Sequence, residues 1–174
     1  MLLGRLKRLA ITAVLIFGIA AFAACDGNSN EFQQKMELLL FEQARLAVEF
    51  DRVLDPMFQE ITASGDLRAP AQSFSKRREQ FLSTQKEFIR IAKDWEALEP
   101  PREAADFYQR TLEMINLRVS SLKALVTAEE SANISGQLDP FLIAEAGRNW
   151  AEALEIWPEV LADANSFNTG DLDR

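Results

Sequence analysis

Residues 74–95 read FSKRREQFLSTQKEFIRIAKDW, and within them Phe74, Phe81, Phe88 and Trp95 stand seven residues apart. An α-helix turns once every 3.6 residues, so a strict seven-residue step returns each ring to one seam. Leu82, Gln85, Ile91, Ala92 and Leu98 fall near that seam, and the spacing predicts an amphipathic helix over 71–98. Aromatic side chains at helical spacing usually pack a core, so the seam is read as core and not as a ladder of stacking surfaces for a ligand.

Outward from this stretch, three turn signals divide the chain: SGDLRAPAQ (64–72), EPP (99–101) and NISGQLDP (133–140). The segment before the first, 31–64, repeats apolar residues at three, four and seven: Met36, Leu39, Leu40, Leu46, Ala47, Phe50, Val53, Leu54, Met57 and Ile61. Asn30 with Gln33 forms a variant capping box at its start, and Pro56 predicts a kink or break near 52–55. The double proline ends the seam helix and starts the next, 101–132, with Glu103 complementing the positive helix start. That third segment carries Ala104, Tyr108, Leu112, Ile115, Val119, Leu122, Leu125 and Val126 on one face. Asp139 before Pro140 is a cap followed by a first helical position. Ile143, Gly147, Trp150, Leu154, Trp157, Leu161 and Ala164 then alternate by three and four to about residue 166, with a kink expected at Pro158. Four amphipathic helices with short connections predict an all-α fold, an antiparallel up-down-up-down four-helix bundle over 31–166, with 167–174 a flexible tail.

Composition narrows the chemistry. The 174 residues include one cysteine and no histidine, so no internal disulfide forms and the usual general base, metal ligand and pH switch are all missing. A Glu-x-x-His metal pair and a C-x-x-C-H haem motif are thereby excluded. No G-x-S-x-G, G-x-x-x-x-G-K-[ST] or D-x-[DN]-x-[DN]-G pattern occurs, so no catalytic residue, cofactor or metal is expected. A net charge of −8 disfavours nucleic acid as a partner.

The N-terminus has its own logic. MLLGRLKR (1–8) carries three positive charges, and LAITAVLIFGIAAFAA (9–24) carries none of either sign. This is an n-region followed by an apolar run somewhat short for a bilayer core of ~30 Å, with small residues just before Cys25. The ending FAAC (22–25) resembles the lipobox of bacterial lipoproteins through Ala23, Ala24 and Cys25, while Phe22 stands where an aliphatic residue is commoner. The resemblance covers about the first 26 residues. It implies a signal peptide (1–24), a mature chain starting at Cys25 and a diacylglyceryl thioether on its sulfur. A further acyl chain, of the palmitate kind, would sit on the new amino group. Two or three acyl chains anchor a protein stably, at ~0.8 kcal/mol per CH₂. In enterobacterial lipoproteins an aspartate at the place of Asp26 disfavours sorting to the outer membrane. Residues 25–30 then form the lipidated cysteine and a short tether. Loss of Arg5, Lys7 and Arg8 leaves 16 basic against 27 acidic residues, a net charge of −11. An uncleaved signal anchor is the competing reading.

Most acidic residues, including Glu49, Asp51, Asp55, Glu129 and Glu130, are expected on solvated helix faces, paired locally as Glu42 is with Arg45. Gln43, Gln85 and Arg118 are different, because they fall on or beside apolar stripes. A buried polar group must be paired, so these either set the register of the helices or line a pocket with Tyr108, Trp150 and Trp157 as walls. The expected function is a membrane lipoprotein, facing the periplasm or cell exterior, whose non-enzymatic bundle binds or scaffolds another cell-envelope protein. The alternative is a lipoprotein that binds a small molecule between its helices.

Overall fold

The computed structural model describes residues 27–64 and 74–169, and every regular element among them is helical. The elements are α1 (Gly27–Ser64), α2 (Arg78–Glu96), α3 (Ala105–Ser135) and α4 (Pro140–Thr169). A helical turn at 74–76 precedes α2, and a 3₁₀ turn, Arg102–Ala104, precedes α3. The fold is all-α. Cys25, Asp26, the segment 65–73, the tail from 170 and the side chain of Ile61 lie outside the described residues.

Several local expectations are corrected. Helix α1 already begins at Gly27, so Asn30 lies inside it and is not its cap. Gly, Asn and Ser are weak helix formers, but extending a formed helix adds one hydrogen bond per residue fixed, and the amphipathic stretch behind them supplies the nucleus. Pro56 and Pro158 interrupt neither α1 nor α4. Both prolines are exposed, and the carbonyl of Arg52, which loses its donor to Pro56, belongs to an exposed residue, where solvent can replace the missing bond. Helix α4 runs three residues past the expected end, to Thr169. Lengths are also uneven: α1 has 38 residues and α2 has 19, roughly 57 Å and 29 Å at 1.5 Å per residue.

Other ends follow the sequence closely. Asp139 Oδ1 accepts the N–H of Phe141 at 2.8 Å, so the Asp-Pro start of α4 is a side-chain cap. At the end of α3, Gly136 sits at φ +77°, where its N–H reaches Ala132 O at 2.8 Å. The start of α3 departs from the expectation: Pro101 is extended at φ −62°, ψ 157°, so it does not open the helix, and the 3₁₀ turn carries the chain to the helix start at Ala105.

One core joins all four helices. The seam of Phe74, Phe81, Phe88 and Trp95 is fully buried. Phe81 packs edge-on against Phe50 of α1 with centroids 5.9 Å apart, and Trp95 stacks on Tyr108 of α3 at 6.0 Å. Such aromatic pairs are worth ≈ 0.5–1.5 kcal/mol beyond the area they bury. Between α3 and α4 the contact surfaces are small: Ala124, Ala128, Ala132, Ala146 and Ala153 are buried. Here the Ser121 hydroxyl donates directly to Ala146 O at 2.8 Å, which requires the two backbones to lie close together.

Candidate functional site

Helix α3 places Met114, Ile115, Arg118, Leu122 and Leu125 at helical spacing on its buried face, so Arg118 enters the core with its apolar neighbours. Its guanidinium carbon lies 5.8 Å from the Phe88 ring, 5.5 Å from Trp150 and 5.7 Å from Trp157. Three rings from α2 and α4 thus surround one cation. A cation over an aromatic face gains about 2 kcal/mol when both are desolvated. The fourth helix contributes through Asp51 of α1, which accepts the Trp150 indole N–H at 2.8 Å, and Phe50 packs on Trp150 at 5.0 Å.

Arg118 is only 2% exposed. Burial lowers its pKa to about 10, and the negative charge of Asp51 opposes that fall. It therefore stays charged near neutrality. Its Nε and Nη1 have no hydrogen-bond partner, and neither do Nε2 and Oε1 of Gln43, a fully buried residue of α1. Left without any partner, each such group would cost about 1–3 kcal/mol, a large share of a domain stability of order 5–15 kcal/mol.

A second buried charge lies further along α3. Glu129, 1% exposed, accepts from Arg78 Nε at 2.8 Å, Ser75 Oγ at 3.1 Å and Asn133 Nδ2 at 2.7 Å. This corrects the expectation of a solvated face at 129–130, which holds for Glu130 alone. Asp51 is likewise half-buried and engaged with Trp150. Glu42 pairs with Arg90 of α2 at 2.7 Å, while Arg45 turns to Glu49 at 2.8 Å, so the local pair Glu42–Arg45 does not form. Glu42 and Glu87 raise the pKa of Arg90 as they bind its cation.

Of the residues singled out in the sequence, the structure brings Arg118, Trp150 and Trp157 together. Gln43 is buried on the same stripe of α1 as Phe50. Tyr108 belongs instead with Trp95 and Phe107, where its carbonyl accepts the Trp95 indole N–H at 3.1 Å. Gln85 is half-buried. Phe88, Asp51 and Glu129 complete the two polar cores; Glu129 lay seven residues beyond Leu122 and four beyond Leu125, a position on the buried stripe that periodicity could have revealed.

The two best-formed depressions are open surface grooves. One, about 340 Å³, lies between α1 and α2 along Arg45, Glu49, Gln80 and Glu87; the other, about 350 Å³, lies between α3 and α4 along Arg110, Glu113, Glu155 and Glu159. Neither is lined by Gln43, Gln85 or Arg118. Among the described residues no cluster of His, Cys, Asp and Glu has metal-binding geometry, and no helix is long and apolar enough to cross a membrane. By themselves, fold and site define an all-helical protein that encloses a cation among aromatic rings. Compared with protein-family models, curated proteins and solved structures, the chain matches none.

Proposed function

We propose that this chain is a bacterial lipoprotein, anchored in the cell membrane through lipid on Cys25, whose non-enzymatic helical domain binds another cell-envelope protein facing the periplasm or cell exterior. The arrangement proposed for that domain is an antiparallel four-helix bundle. Contact pairs support it. On α1 and α2, Glu42 meets Arg90 and Phe50 meets Phe81; on α2 and α3, Arg78 meets Glu129 and Trp95 meets Tyr108; on α3 and α4, Arg110 meets Asp163 and Ser121 meets Ala146. In each pair, numbering rises on one helix as it falls on the other.

The observation that carries the anchoring is a junction. The lipobox-like FAAC ends at Cys25, and Gly27, two residues on, is already helical, so the acyl chains would lie close in sequence to the helical domain. An anchor placed there holds the domain against the bilayer and leaves its opposite end, the α3–α4 turn, pointing away. Ile134 and Phe141 flank that turn and are 92% and 83% exposed. Paired apolar side chains at the far end fit contact with a protein, whereas the aromatic walls suggested for a small-molecule pocket, Trp150 and Trp157, are occupied by Arg118. Asp26 would then bear on sorting between inner and outer membrane.

Native mass spectrometry of the protein extracted from its own membranes tests the reading. The expected polypeptide mass begins at Cys25 and carries two or three acyl chains, and Cys25→Ser removes them and releases the protein from the membrane. An unmodified mass beginning at Met1 would overturn the assignment and leave a signal anchor.

A further inference from the structure

Gln43 and Arg118 are both fully enclosed, yet Nε2 and Oε1 of the first and Nε and Nη1 of the second bond nothing in the protein. The antiparallel register proposed above puts them at one level. Glu42, adjacent to Gln43, holds Arg90, and Arg90 is two residues from Phe88, whose ring lies 5.8 Å from the Arg118 guanidinium. The same guanidinium touches Trp157, seven residues beyond Trp150, while Gln43 is seven residues before Phe50, the residue seated on Trp150. Equal steps in opposite directions bring Gln43 and Arg118 to within about one helical turn, ~5.4 Å, along the axis.

What lies between them is decided by the groups themselves. Arginine offers only donors, whereas a glutamine amide offers donors and an acceptor, so the occupant must both accept and donate hydrogen bonds. A small anion would serve the N–H groups but leave Gln43 Oε1 unmet, and the charge of Asp51 already offsets that of Arg118. The two grooves described above, which have room for an organic ligand, are lined by other residues. Buried water meets every demand: it forms two to four bonds, and its usual place is beside otherwise unsatisfied polar groups. We propose that Gln43 and Arg118 hold an internal hydration site, a permanently bound water or small water cluster bridging α1 to α3 through the middle of the core. Polarity at this level then serves as a bridge between helices, and water exchange there requires α1 to move.

The test is water-to-protein NOE spectroscopy on the full chain in detergent, read at the Arg118 Nε–H and the Gln43 side-chain amide. Cross-peaks from both to water, of the sign given by a long-lived bound molecule, are expected, and Arg118→Met abolishes the one at Gln43. A direct Arg118–Gln43 cross-peak with none to water would overturn the proposal by showing a protein–protein bond. A saturable shift of these signals on adding chloride or acetate would overturn it in favour of an anion site. Gln43→Met, read at Arg118, provides the same comparison if Arg118→Met fails to fold. The Phe50–Phe81 and Trp95–Tyr108 NOEs are read in the same sample: their absence would indict the helix register, whereas their presence without water contacts would indict the hydration site alone.

Discussion

Arg118 and Glu129 lie eleven residues apart on α3, buried to the same degree at 2% and 1% exposure, and the protein accommodates them in opposite ways. Glu129 is held by directional bonds from Arg78, Ser75 and Asn133. Arg118 is held by the faces of Phe88, Trp150 and Trp157, which attract a cation without fixing its hydrogen-bond directions. The difference teaches that burial alone does not measure what a charge contributes. At Glu129 the ion pair ties the start of α2 to the end of α3, and breaking it strands a carboxylate away from water. At Arg118 the desolvation of the cation, several kcal/mol, is set against diffuse attractions of similar size, and the balance lies near zero.

Removing the partner of the well-bonded charge gives the largest expected effect. Arg78→Ala leaves Glu129 enclosed with only two neutral donors and should cost about 3 kcal/mol in urea unfolding followed by circular dichroism. A loss under about 1 kcal/mol would mean that Glu129 reaches solvent by relaxation, and the contrast would collapse. Glu129→Gln keeps the shape, and Arg78, whose side chain is 38% exposed, can still reach water, so a smaller loss of about 1–2 kcal/mol is expected. If glutamine cost more than the loss of Arg78, the carboxylate would not be the costly member of the pair.

The smallest effect is expected at the ring-held charge. Arg118→Met should lie within about 1 kcal/mol of the parent protein near neutral pH. Alkaline titration sharpens this result. The folded pKa, about 10, lies below the ordinary arginine value, so between the two the unfolded chain holds more protons. Stability from this group therefore rises with pH, and the parent should gain roughly 1 kcal/mol relative to Arg118→Met between about pH 9 and pH 11. A difference that stays flat would show that the guanidinium is hydrated well enough to behave as it does in water.

How much of this was legible in the chain depends on the reach of each interaction. The seven-residue aromatic step and the Asp139–Pro140 start act within a few turns of one helix, and both appear where periodicity puts them. Arg118 could be singled out because a cation interrupted an apolar stripe. Glu129 occupied an equally informative position but stood beside Glu130 in an acidic pair, and its partner Arg78 lies 51 residues away in sequence. Tyr108 shared a face with the core yet went to Trp95, because residues 95 and 108 flank the turn between α2 and α3. Proline misleads for a related reason. The sequence shows the missing donor, but not that Pro56 and Pro158 face water, which makes its loss tolerable.

The close contact between α3 and α4 also has a consequence in time. Ser121 and Ala146 are 25 residues apart in sequence, whereas the bond joining Asp51 to Trp150 closes 99 residues of chain. Loop-closure entropy grows with that separation, and structure built on near neighbours forms sooner. The α2–α3 turn, closed by Trp95 and Tyr108 over 13 residues, and the α3–α4 hairpin are therefore placed to form early, and the docking of α1 on α4 comes among the last steps.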